Sequence, residues 1–237
     1  MLVEAGLADR VRIGASGPPP EAASGSRTHR TTEERQTPGA EEAFSPDVLL
    51  RPTPRPAHGV EGRLIELGGE RSSGRTALAY RLAALTSARS ELVGWVDLPH
   101  ALDPRYLQRA GVRLDDVLWV RPPGLQAALR AAELLIKTGF ALCVIDLEGA
   151  PAGEIARLGA AVWTRLTRAL RESRSSALLL GTRGAAGTFA TLGARTERRR
   201  SLFDGRLFEG IESSVEVLRR RSSPPGEVRH FSVLQRA

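Results

Sequence analysis

Residues Gly69-Glu70-Arg71-Ser72-Ser73-Gly74-Arg75-Thr76 set two glycines five positions apart. They follow the run Leu64-Ile65-Glu66-Leu67 and precede a stretch with helical spacing. A strand, a glycine-rich turn and a helix start leave few folds open. The glycines permit backbone conformations closed to other residues, and the helix start presents N–H groups to an anion. The spacing is that of a phosphate-binding loop, G-x-x-x-x-G-K-[ST], with Arg75 where lysine is expected. In that pattern the backbone wraps a phosphate, the lysine reaches the β- and γ-phosphates, and the hydroxyl of Thr76 holds Mg²⁺. Arginine is longer, planar and forked, and does not replace a compact ammonium conservatively. Gly69, Ser72, Ser73, Gly74, Arg75 and Thr76 are therefore candidate contacts for ATP or ADP with Mg²⁺, in a loop altered at its key cation.

The rest of the chain fits an α/β domain. Apolar runs predict strands over residues 63–67, 92–97, 116–120, 141–145 and 177–180. Helical spacing predicts helices over 76–87, 104–110, 125–137 and 154–172. Leu78, Leu82 and Leu85 share one face of the first helix. Leu125, Ala128, Leu129, Ala132, Leu135 and Ile136 share one face of the third, which Gly139 closes. Short buried strands alternating with helices imply a mostly parallel sheet covered on both faces. The final segment differs: residues 215–219 and 227–234, joined by Ser222-Ser223-Pro224-Pro225-Gly226, read as an antiparallel hairpin. Residues 1–45, rich in Gly, Pro, Ser, Thr and charge, read as a disordered Pro-rich tail, with Leu2, Val3, Leu7 and Val11 as a short amphipathic piece. Pro52, Pro54 and Pro56 lead stiffly into a domain spanning 46–237.

A net charge of +7 favours anionic partners. All but one of the 34 Lys and Arg are arginine, Lys137 being the exception, a bias that also follows from GC-rich coding. The single cysteine, Cys143, excludes a disulfide within the chain and argues against a metal cluster. No run of eighteen apolar residues and no leader-like N-terminus is evident, so a soluble, cytoplasmic protein is expected.

Leu142-Cys143-Val144-Ile145-Asp146 has the form of a second strand that organises Mg²⁺. Between it and the loop stands Trp95-Val96-Asp97-Leu98-Pro99-His100-Ala101-Leu102-Asp103-Pro104-Arg105-Tyr106. This segment resembles the RecA recombinases, in which a strand is followed by D-A-E-H-A-L-D-P-x-Y. Gly62 to Leu67, Ser72-Ser73-Gly74, Gly111-Val112 and Asp116-Val117-Leu118 are similar as well. The resemblance covers roughly residues 45 to 235 and implies a RecA-type phosphate-loop sandwich. It places Asp103 and Tyr106 at adenine-contacting positions, and Thr76 and Asp146 at magnesium-organising ones. It also shows three departures. The water-activating glutamate of D-A-E-H is replaced by Pro99, the loop lysine by Arg75, and the γ-phosphate-sensing glutamine by Thr182. Losing a general base alone costs about 10²–10⁴ in rate, so weak or absent hydrolysis is expected. Retained nucleotide binding and an empty, purely structural pocket with Tyr106 packed on its helix both remain open.

The segments Glu148 to Gly153 and Gly184 to Thr188 look shorter than the mobile DNA loops of RecA. The accessory C-terminal domain and the N-terminal packing helix of RecA are not recognisable, so a self-sufficient filament is not expected. In length, altered phosphate loop and Pro-rich tail the chain is similar to the ImuA family, degenerate RecA relatives of the bacterial mutasome; SulA, another such relative, is shorter. The resemblance implies an accessory role in DNA-damage-induced translesion synthesis, with RecA and a polymerase-like adaptor of the ImuB type as partners. Two other functions stay open. One is an active DNA-stimulated ATPase with Glu148, or Glu91, as base. The other is a DNA-binding protein using Arg198, Arg199, Arg200, Arg219, Arg220 and Arg221, although such runs are more often a solvated charged face. Trp95, Trp119 and Trp163 read as core, and His100 as a loop-ordering residue.

Overall fold

The computed structural model describes residues 63–173, 175–181, 184–220 and 227–234, with backbone alone for Arg220 and for 227–234. The expected N-terminal tail, the Pro52–Pro56 segment, Thr182, Arg221 and the turn over 222–226 lie outside the described residues.

Five short apolar strands, β1 (Arg63–Gly69), β2 (Val93–Asp97), β3 (Val117–Val120), β4 (Leu142–Asp146) and β5 (Ser176–Leu180), alternate with helices α1 (Arg75–Ser87), α2 (Pro104–Arg109), α3 (Leu125–Lys137), α4 (Ala152–Ala156) and α5 (Ala160–Ser173). Three longer strands follow: β6 (Leu192–Asp204), β7 (Leu207–Arg220) and β8 (Glu227–Leu234). All eight form one sheet in the order β3-β2-β4-β5-β1-β6-β7-β8. Pairing is parallel from β3 to β6 and antiparallel from β6 to β8.

Period-two alternation divides the parallel strands between two cores. Ile65, Leu67, Val93, Trp95, Val144 and Leu178 face α1 and α2. Leu64, Val96, Cys143, Ile145 and Leu179 face α3 and α5. All six residues assigned to the inner face of α3 are buried. In α1 Leu78 and Leu82 are buried, while Leu85 is only partly covered and Ala79 and Ala83 complete the stripe. Gly94 lets α3 approach β2: a Cβ there would stand 2.8 Å from Leu135 Cδ1. Cys143 is buried in the second core, and burial pushes its thiol up to about 12, so it is a small hydrophobe. Trp95 and Trp163 are core. Trp119 is not: on edge strand β3 it is half-buried, donates from Nε1 to Asp97 Oδ2 at 3.0 Å, and carries the Arg121 guanidinium 4.7 Å from its ring.

Two expectations need correction. The helix expected over 154–172 is interrupted: α4 ends at Ala156, the chain turns through Arg157 to Gly159, and α5 begins at Ala160. Glycine is a poor helix former, and the break lets Ile155 and Leu158 both reach the second core. The antiparallel hairpin is also larger than the apolar pattern suggested. β7 does pair with β8 as expected, but it begins at Leu207 and pairs first with the thirteen-residue β6. Four consecutive exposed residues, Glu197 to Arg200, hide that strand from an alternation test.

Candidate phosphate-loop site

The loop leaves the C-terminal end of β1, in the middle of the sheet, and turns into α1. Gly69 (φ 153°) and Gly74 (φ 86°) take up conformations in which side chains are strained, and Ser72 (φ 59°) lies in the left-handed region. Gly69 is also sterically fixed, since a Cβ would stand 2.3 Å from Thr196 Oγ1 and 2.6 Å from Ser73 Oγ. Those two hydroxyls share a buried 2.7 Å hydrogen bond, and Thr196 Oγ1 donates to the Gly68 carbonyl at 3.3 Å. β6 thus clamps the loop through a threonine directly opposite Gly69 in the parallel register. Sequence reasoning missed Thr196; the buried alternation Leu192, Ala194, Thr196 is the signal that marks it.

A cavity of about 300 Å³ opens over the loop. Ser72, Ser73, Gly74, Arg75 and Thr76 line its floor, Tyr80 and Tyr106 one wall, and Phe208 and Ile211 of β7 the other. Thr76 is exposed, whereas Ser73 and Arg75 are buried. Tyr106 packs on Tyr80 with ring centroids 5.5 Å apart, and Tyr80 in turn on Trp95 at 5.2 Å. Tyr106 therefore both packs against its neighbours and faces the cavity. Asp103 caps α2: its Oδ1 accepts from the backbone of Arg105 at 2.9 Å and Tyr106 at 3.3 Å. Tyr80 was not foreseen although it lies one helical turn after Thr76 on α1, and Phe208 and Ile211 were not because nothing local in sequence brings β7 over the loop.

Arg75 is turned inward. Nη1 donates to the Gly69 carbonyl, Nη2 pairs with Glu148 Oε2, and Nε is buried without a hydrogen-bond partner. Burial lowers its pKa, and the charge of Asp146 raises it back in part. Glu148 Oε1 also lies 3.3 Å from Arg71 Nε, so one carboxylate joins both loop arginines. Asp146 and Asp97 sit side by side in the register of β4 and β2. Asp97 accepts from the backbone of Ala101 and Leu102 and from Trp119. Asp146 is pushed up to about 6 by burial, opposed by Arg75 and assisted by Asp97. Its Oδ1 accepts from the Glu148 backbone at 3.0 Å. Around the loop, the cradle and the orphaned Arg75 Nε fit a phosphate. Thr76 and Asp146 supply the oxygen ligands a magnesium ion takes.

Pro99 occupies a turn beside His100, whose Nε2 lies 3.5 Å from the Pro122 carbonyl and whose φ is 56°, in keeping with a loop-ordering role. Glu91 lies in the turn after α1 and pairs with Arg89. Beyond β5, Glu66 of β1 accepts from the Ala185 backbone at 2.6 Å and ties down the segment that ends in the turn Gly187–Phe189. Burial raises its pKa, against the lowering effect of the loop N–H groups. That segment, the residues after Asp146 and α4 enclose a second groove of about 600 Å³ lined by Leu147, Glu148, Ala150, Ile155, Gly181 and Ala185 among others.

The arginine run on β6 is largely engaged. Arg200 makes a two-pronged pair with Glu212 directly across the hairpin, at 2.6 and 2.7 Å. Arg199 donates to Ser214, and Arg198 is exposed. Arg219 is half-buried at the other end of β7, near Glu66, and so lies apart from the arginine run on β6. Among the described residues no group of His, Cys, Asp and Glu is placed to hold a metal by itself, and no helix is long and apolar enough to cross a membrane.

Residues 57–160 match the RecA N-terminal domain family. The chain is 30% identical over 205 residues to the RecA proteins of Streptomyces ambofaciens, Mycolicibacterium smegmatis and Mycobacterium marinum. These alignments cover 73% of this chain and 55%, 59% and 59% of the respective relatives. The chain thus spans a little over half the length of the curated relatives it matches.

Proposed function

The sequence and the fold are RecA-like, and we propose that this chain is a non-hydrolytic RecA-like accessory protein of the ImuA type. In this reading it acts in DNA-damage-induced translesion synthesis by binding RecA, a polymerase-like adaptor, or both. The observation that carries it is the fate of the loop cation. Arg75 is folded back onto Gly69 and Glu148, and by the resemblance to RecA Pro99 takes the position of the water-activating glutamate. A phosphate-transfer site works by holding cations toward the transferring group and a base toward the attacking water. Here the cation is committed to the chain's own carboxylate, and Pro99 has neither a base nor an N–H.

Nucleotide binding is compatible with this role. The loop backbone from Gly69 to Gly74 would hold the phosphates, Thr76 and Asp146 the magnesium ion, and Tyr106 would stack on the base. A magnesium nucleotide bound here would supply charge and shape. The ATPase alternative with Glu148 as base is weakened by the pairing of that carboxylate with both Arg71 and Arg75. The DNA-binding alternative is weakened by the engagement of Arg199 and Arg200 within the hairpin.

Affinity capture of RecA and of the adaptor by the full chain, at moderate salt, tests the reading. Capture of at least one is expected. Capture of neither, by a chain shown to be folded, ends it.

A further inference from the structure

Glu148 sits where two cavities meet: it lines the larger groove, and its carboxylate crosses to the cationic end of the phosphate loop. Its backbone has little freedom. The N–H is held by Asp146 Oδ1, and Gly181 packs so closely that a Cβ there would stand 2.8 Å from the Glu148 nitrogen. Only the side chain can move, and it reaches Arg75 with one oxygen and Arg71 with the other. The guanidinium of Arg75 is thereby used up on both terminal nitrogens, one by the Gly69 carbonyl and one by Glu148.

A carboxylate bridging two arginines at the mouth of an anion cradle has the charge and the geometry of the ligand that the cradle would otherwise take. We propose that Glu148 is a built-in counter-anion of the phosphate loop, so that a phosphate-bearing ligand engages Arg75 only by displacing it. The ligand class is a di- or triphosphate. The displaced side chain swings toward the groove lined by Leu147, Ala150, Ile155 and Ala185, so phosphate binding is coupled to the surface of that groove. A ligand that must first open a closed site binds more weakly by the fraction of molecules open, and the coupling works equally in the other direction. The inference rests on reading residues 69–76 as a phosphate site and stands apart from the accessory role.

The test is calorimetric titration of the full chain with inorganic pyrophosphate, and separately with Mg-ATP, for the wild type, Glu148→Gln and Arg75→Ala. Glu148→Gln keeps the size and removes the competing charge. It is expected to bind pyrophosphate about tenfold more tightly, as for a latch closed in roughly nine molecules of ten, while Arg75→Ala loses most of the affinity. Should Glu148→Gln prove unstable, Glu148→Asp keeps the charge but falls short of Arg75, and is expected to bind more tightly than wild type too. Equal or weaker binding by the folded Glu148 variant overturns the proposal, as does the absence of binding by every form at millimolar ligand. Capture of RecA is a separate readout: a released latch without RecA capture retires the accessory role alone, and RecA capture with an unchanged pyrophosphate affinity retires the latch alone.

Discussion

At the scale of single residues the site is governed by burial and charge. Asp146 shows this best. Its carboxyl is pushed up to about 6 chiefly by burial, above the value of about 4 expected in the unfolded chain. The folded state therefore holds the proton more tightly, and this group favours folding fully below about pH 4 and loses that contribution as pH rises through about 6. Above that, the ionised carboxylate carries a cost on the order of 2–3 kcal/mol. Asp146→Asn keeps the acceptor for the Glu148 N–H and removes the charge. We expect it to exceed wild type in urea-unfolding stability by roughly 1–3 kcal/mol near neutral pH, with the gain vanishing near pH 4. A gain independent of pH would mean that the carboxylate is not the cause. Gly69 makes a second residue-scale case. Gly69→Ala forces a Cβ into Thr196 Oγ1 and Ser73 Oγ at a strained φ, and is expected to cost roughly 2–4 kcal/mol in the same assay.

At the scale of elements, what decides the site is which strand lies beside the loop. β6, not a helix, closes the phosphate cradle, and its partner β7 brings Phe208 and Ile211 over the cavity. The local half of this was legible in the sequence. The glycines of residues 69–76, the six-residue face of α3 and the apolar β4 ending in Asp146 follow from period and spacing. The hairpin was not, because its exposed arginines and glutamates pair across strands and leave no apolar alternation over Glu197 to Arg200. Nor was the Arg75–Glu148 contact, since residues so far apart in sequence meet only through the parallel order of β1, β5 and β4. The cross-strand pair Arg200–Glu212 is exposed, so Arg200→Ala should leave the thermal unfolding midpoint almost unchanged. Leu135→Ala, by contrast, opens space between α3 and Gly94 of β2 and should cost about 2–5 kcal/mol.

At the scale of the whole molecule, the chain has a RecA-like sheet and a glycine-rich loop with the spacing of a phosphate loop, and in our reading it has lost the residues that chemistry would need. The sheet survives because its stability lies in two cores that Pro99 and Arg75 do not build. Hydrolysis, in our reading, does not survive, because it depends on a few side chains aimed at one phosphate. Besides the phosphate cavity, the described residues show two open features: the groove beside Glu148, and the exposed Phe203, Leu207 and Phe208, which cluster at the hairpin tip. In our reading the phosphate loop holds its ligand without hydrolysing it. The most direct measurement of that claim is phosphate release from Mg-ATP by the full chain, with and without single-stranded DNA. The account predicts no release above buffer under either condition. Release that is stimulated by DNA and abolished by Asp146→Asn or Glu148→Gln would contradict it.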